Sequence, residues 1–151
     1  MTKAAEELTP FAHKASNTCF GCGPANPAGL QLKFFVRGDG SVVCSANIPD
    51  RFEGLYSYLH GGIIATLLDE IMSKAVRARG LSGMTRHMEI EYLRPVPSKT
   101  PIQLEAHLSH TEGRKHWVQG CVMSERGTVL ARGKGLFVEV RPRETPDGPP
   151  E

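Results

Sequence analysis

The chain has 151 residues, 40% of them hydrophobic, and a formal net charge of +2 at pH 7. That length suits one domain with one sizeable core. The charge is too small, and too free of dense Lys or Arg runs, to leave the footprint of a nucleic-acid binder. No apolar stretch is long enough for a signal peptide or a membrane span. Four cysteines in this length do not make a disulfide framework, and Cys44 and Cys121 sit inside apolar runs, so the expected compartment is the cytoplasm.

In chain order, residues 1–17 are weakly patterned and read as an arm packed on the surface. Residues 18–30, TCFGCGPANPAGL, are rich in Gly and Pro and read as a structured turn. Strand-like runs follow at 31–37 and 42–48, with the hairpin turn RGDGS between them. Residues 49–58 read as a loop. A helix is expected from Leu59 to Arg79, stopped by Gly80. Strand period returns in MEIEY (88–92) and IQLEAHL (102–108). Two more extended runs, 116–124 and 128–140, flank the turn Glu125-Arg126-Gly127, and Pro95 and Pro97 break the chain between strands. Trp117 is expected in the core. The Pro-rich, charged tail, 141–151, reads as disordered.

Two strands, one long helix and four strands make an α+β chain. One helix cannot cover both faces of a six-stranded antiparallel sheet. The simplest arrangement is therefore a curved sheet wrapped around that helix, its outer face polar or against a partner. This favours an oligomer.

At about 100° per residue, Ile63, Ile64, Leu67, Leu68, Ile71, Met72 and Ala75 form one wide apolar helix face. Glu70 falls with Thr66, Leu67 and Lys74, and an exposed Glu70–Lys74 ion pair is expected. Asp69 points about 100° away, beside Ala65, Met72, Ser73 and Val76. A carboxylate at the margin of an apolar face is disfavoured when charged, so its pKa rises. Such a group can act as a general base or nucleophile, or it can be a partly solvated structural acid. His60-Gly61-Gly62 stands at the helix N-terminus, where backbone N–H groups lack internal partners and negative charge is favoured. Two glycines let a ligand atom approach the backbone closely. The arrangement can hold a developing oxyanion, or it can be a Gly-rich helix start with a satisfied histidine.

HGGIIATLLDE, followed by MEIEYLRPVP, resembles the hotdog-fold acyl-CoA thioesterases of the PaaI-like (phenylacetyl-CoA thioesterase) group. The upstream CFGCG, with Asn26-Pro27 and Gly29-Leu30, resembles the opening of many members, and the match runs from about residue 18 to 140. The resemblance implies a hotdog domain over 18–140 and a homodimer or dimer of dimers with active sites at the subunit interface. It implies hydrolysis of an aryl- or medium-chain acyl-CoA, with no cofactor. Asp69 matches the catalytic acid, as base toward water or as nucleophile. Gly61, or Gly62 beside it, matches the oxyanion donor, and His60 supports the thioester site. Thr85 falls where some relatives carry a Ser that helps position the water. Gly54 departs from the pattern: several relatives carry Asn or Gln there, near the thioester carbonyl. Glu53 and Tyr56 stand close by without an assigned role. Arg86, Arg94, Arg132 and Lys134 are candidates for the CoA phosphates.

Two rivals keep the same fold: an acyl-thioester dehydratase or hydratase, and a non-catalytic acyl-CoA sensor. Cys19-x-x-Cys22, with His13 upstream, can be half a zinc site, a redox pair, or a turn whose cysteines pack at the sheet edge. A structural zinc site needs four ligands and no second CxxC exists, so no metal is expected. His87, His107, His110 and His116 lack metal-like spacing. The absence of GxSxG argues against an α/β-hydrolase.

Overall fold

Helix α1 (Gly61–Arg77) lies against one face of a single antiparallel sheet, and the sequence pattern shows why. Leu67, Leu68, Ile71, Met72 and Ala75 recur at helical spacing and are fully buried. The helix starts two residues later than expected, because His60 takes an extended backbone and caps it. Past its end Gly80 adopts φ +78°, the left-handed conformation that terminates helices. The structure, a computed structural model, describes residues 7–140; the tail expected to be disordered lies outside the described residues.

The strands are β1 (Thr9–Pro10), β2 (Phe35–Val36), β3 (Val42–Asn47), β4 (Gly83–Tyr92), β5 (Pro101–Glu112), β6 (Lys115–Ser124) and β7 (Val129–Glu139). Their spatial order is β1-β2-β3-β5-β6-β7-β4. This is the expected α+β arrangement, with a seventh short strand added by Thr9–Pro10, inside the segment read as an arm. The expected strand over 31–37 shrinks to Phe35–Val36. Gln31 has φ +49°, and the N–H groups of Leu30 and Leu32 donate to Phe20 and Gly21 rather than to a neighbouring strand. The Gly/Pro turn, not the sheet, holds this stretch.

The helix sits close to the sheet because β6 and β7 offer it glycine. A Cβ at Gly120 would lie 2.9 Å from Met72 Cγ, and one at Gly133 would lie 3.3 Å from Met72 Cε. Gly120 and Gly133 are cross-strand partners, so they form one floor under Met72. Replacing Gly120 by Val should push against the helix and cost about 1–3 kcal/mol. Equilibrium urea unfolding of the variant beside wild type checks this.

On β7, Arg132 and Lys134 alternate with buried Ala131, Gly133 and Gly135, and so face away from the helix. Trp117 lies on that outer face as well, half-buried rather than in the core, with its ring 5.2 Å from that of His110. Its cross-strand partner Leu136 precedes core-facing Phe137, which sets the outward alternation. β4 is an edge strand, and Met84 and Tyr92 on it are more than half exposed. Among the described residues, no helix is long and apolar enough to cross a membrane.

Candidate active site

The loop before the helix is pinned by its backbone. Leu59 N–H donates to Val96 O at 2.8 Å, and His60 N–H donates to Phe52 O at 3.0 Å. His60 Nδ1 then accepts the Gly62 N–H at 2.9 Å, which leaves Nε2 as the protonated ring nitrogen. Gly62 therefore spends its donor on the cap. The Gly61 N–H has no acceptor among the described residues. Tyr92 donates its hydroxyl to Gly61 O at 2.9 Å and ties the end of β4 to the helix start. Tyr92 carries strand period and the family-like segment in the sequence, but neither signal marks this contact.

A cleft of about 670 Å³ opens here, lined in part by Gly54, Tyr58, His60, Gly61, Tyr92 and Arg94. Gly54 packs directly on His60: a Cβ would lie 3.1 Å from His60 Cα. Glu53 is occupied by a short hydrogen bond from the Ser98 hydroxyl, and Tyr56 is 87% exposed.

Asp69 lies two helical turns beyond Gly61, half-buried. Thr85 donates its hydroxyl to Asp69 Oδ1 at 2.5 Å. A register shift in β4 makes this contact possible. Thr85 pairs with Phe137 and His87 pairs with Leu136, so Arg86 is an extra residue. Strict alternation would put Thr85 on the same face as His87 and Glu89. The bulge returns it to the helix side. Burial raises the Asp69 pKa above the usual carboxylate value, as its place on the helix predicts. The Thr85 hydrogen bond pulls it down, Glu70 pushes it up and Lys74 pulls it down.

The four basic candidates do not converge. Arg94 lines the cleft, and Arg86 occupies the bulge. Arg132 binds Glu91 through two nitrogens at 3.1 and 3.2 Å, and Lys134 lines a separate outer-face cavity with Trp117.

Glu70 differs from its expectation. Its ion pair with Lys74, 3.5 Å long, is nearly buried, with side chains 14% and 13% exposed. The CFGCG turn covers it: a Cβ on Gly21 would lie 2.2 Å from Glu70 Cγ. Cys19 Sγ is 3.5 Å from Glu70 Oε1, and all four cysteines are free thiols. The cysteines of the turn thus pack on the helix rather than at a sheet edge.

Comparison with known proteins agrees with this architecture. The model of the thioesterase superfamily matches residues 56–131, half of the chain. Acyl-coenzyme A thioesterase THEM4 of Rattus norvegicus is 26% identical over 110 residues, covering 72% of this chain and 47% of that protein. The chain thus spans about half the length of that relative. The crystal structure of another thioesterase superfamily protein superposes with a TM-score of 0.78 at 30% identity, covering 81% of this chain and 60% of that one. The BH2602 protein of Bacillus halodurans, solved with CoA, gives 0.67 at 29%, covering 76% and 77%. The PaaI protein of E. coli shares the fold, with a TM-score of 0.69 at 17% identity over 74% and 81%. Half the chain matches the family model, and one helix packs on a continuous antiparallel sheet, so this chain belongs to the thioesterase superfamily and has its hotdog fold.

Proposed function

We propose that the chain hydrolyses an acyl-CoA thioester to a carboxylic acid and CoA. The observation that carries this reading is the Asp69–Thr85 pair: a half-buried carboxylate of raised pKa with one oxygen fixed by a hydroxyl. Oδ1 is held by Thr85, which leaves Oδ2 to take a proton from water or to attack the thioester carbon. The Gly61 N–H at the capped helix start is the donor suited to the developing oxyanion, because Gly62 is already engaged by His60. The solved relative with CoA, at 29% identity, supports an acyl-CoA as the ligand. Arg94, in the cleft, is the basic candidate best placed for its phosphates.

Gly61 and Asp69 are eight positions apart on one helix, about 12 Å along its axis at about 1.5 Å per residue. One thioester carbonyl cannot meet both from the same chain. We infer a homodimer in which Asp69 and Thr85 of one protomer face the cleft of its partner. The exposed ten-residue edge strand β4, with unpaired backbone groups, suits the pairing of two copies.

Thiol release from a panel of aryl- and fatty-acyl-CoAs tests the activity. Binding without release from any member would favour a sensor, a reading that the absent side chain at Gly54 supports. A second expectation concerns Thr85→Val. Its lost hydrogen bond stabilised the ionised carboxylate, so the Asp69 pKa rises further. The acid limb of the pH–rate profile moves to higher pH, and kcat falls by about tenfold or more. A full pH–rate profile of the variant checks both.

A further inference from the structure

Cys19, Cys22 and Glu70 take no part in that chemistry, yet their ligand atoms all lie within 4.8 Å of one another beneath the CFGCG turn. We propose that these three residues hold a zinc ion that clamps the turn to helix α1, with the fourth coordination position opening into the cavity beside His13.

The Cys19–Glu70 spacing, now bridged by a thiol hydrogen bond, is one that a tetrahedral zinc ion can take over, and all three ligand atoms lie within 4.8 Å of one another. Zinc bonds thiolate sulfur at about 2.3 Å and carboxylate oxygen at about 2.0–2.2 Å, which sets two such ligands about 3.5 Å apart. Cys19 Sγ and Glu70 Oε1 are 3.5 Å apart. The carboxylate is already divided in its roles: Oε1 faces the thiol, while Oε2 is buried and faces Lys74 Nζ at 3.5 Å. The backbone is preset. A Cβ on Gly21 would collide with Glu70, and one on Gly23 would lie 2.4 Å from Cys19 N. Asn17 supplies an outer shell: its Oδ1 accepts the Cys19 N–H at 2.9 Å, and its Nδ2 donates to Cys22 Sγ at 3.7 Å.

The charges close as well. Two thiolates and Glu70 carry three negative charges, which Zn²⁺ and Lys74 neutralise together. Lys74 thus balances the loaded site rather than competing for it. On binding, two S–H bonds break, two Zn–S bonds form and two protons leave to solvent, with no change of oxidation state. A cavity of about 380 Å³, lined by His13 together with Cys19, Cys22 and Glu70, leaves room for a water as fourth ligand.

The test uses the full chain, reduced and stripped of metal, titrated with zinc alone against a chromophoric chelator. One equivalent per chain should bind. Cys19→Ser and Cys22→Ser should each weaken binding by at least about a hundredfold, and Glu70→Gln by about tenfold, while Cys121→Ser leaves it unchanged. Cobalt in place of zinc should give a thiolate charge-transfer band that both cysteine variants weaken. Because those variants can fail to fold, wild type is also alkylated with and without zinc and read by mass, with added protection expected at Cys19, the less buried of the two thiols. Unchanged alkylation of Cys19 overturns the proposal. So does zinc affinity equal to wild type in both cysteine variants, or a Cys19–Cys22 disulfide that forms in the presence of zinc.

Discussion

Asp69→Ala should lower kcat/KM for a responsive acyl-CoA by about 10²–10⁴-fold, the range a positioned general base contributes. The fall should appear in kcat, with thioester binding retained, because Asp69 is asked to act on the transition state and not to hold CoA. Steady-state thiol release beside a direct binding measurement separates the two. Activity surviving in the variant would remove Asp69 from the mechanism and leave the fold reading intact. In wild type, rate should fall as pH drops through the raised Asp69 pKa, since only the carboxylate accepts a proton. The same burial has a consequence for stability. A folded-state pKa above the unfolded value means that ionised Asp69 opposes folding. The stability is present in full below the unfolded pKa and is lost as pH rises through the folded one. Asp69→Asn never ionises and keeps an oxygen for Thr85. It should therefore melt above wild type at neutral pH and converge with it in acid, which thermal unfolding at several pH values would reveal.

Met72→Ala should destabilise the fold by about 3–5 kcal/mol, toward the upper end for removal of a buried methionine. Met72 is fully buried, and its side chain lies over Gly120, Gly133 and Gly135. A cavity opened above side chains can shrink as they change rotamer. One opened above glycine has no floor side chain to move in and can be filled only from the side, by Leu68 or Phe137, so more of the space persists. Met72→Leu conserves volume and should cost less than about 1.5 kcal/mol. Urea unfolding of both at one fixed protein concentration checks the contrast, since association would add to apparent stability. Equal losses in the two would mean that the glycine floor yields.

Much was legible in the chain alone because its signals are local. The helix, five of the strands, the RGDGS hairpin and the place of Asp69 at the margin of an apolar face follow from periodicity and turn chemistry over a few residues. The Gly80 stop is a single-residue signal of the same kind, whereas the His60 cap, which starts the helix two residues later than expected, is not marked in the pattern. Tertiary structure decided what depends on register between distant segments. Arg86 adds one residue to β4, and that residue turns Thr85 toward Asp69; a period-two pattern read along one strand cannot reveal it. The inward face of β7 is built of Ala131, Gly133 and Gly135, so hydrophobicity does not mark it, and the outward aim of Arg132 and Lys134 became apparent only against the helix. Glu70 looked solvent-facing by helical angle, and the CFGCG turn, some 50 residues upstream, buried it. In each case a local pattern specifies the conformation of a segment, while the partner that covers it is specified by packing between segments far apart in the chain.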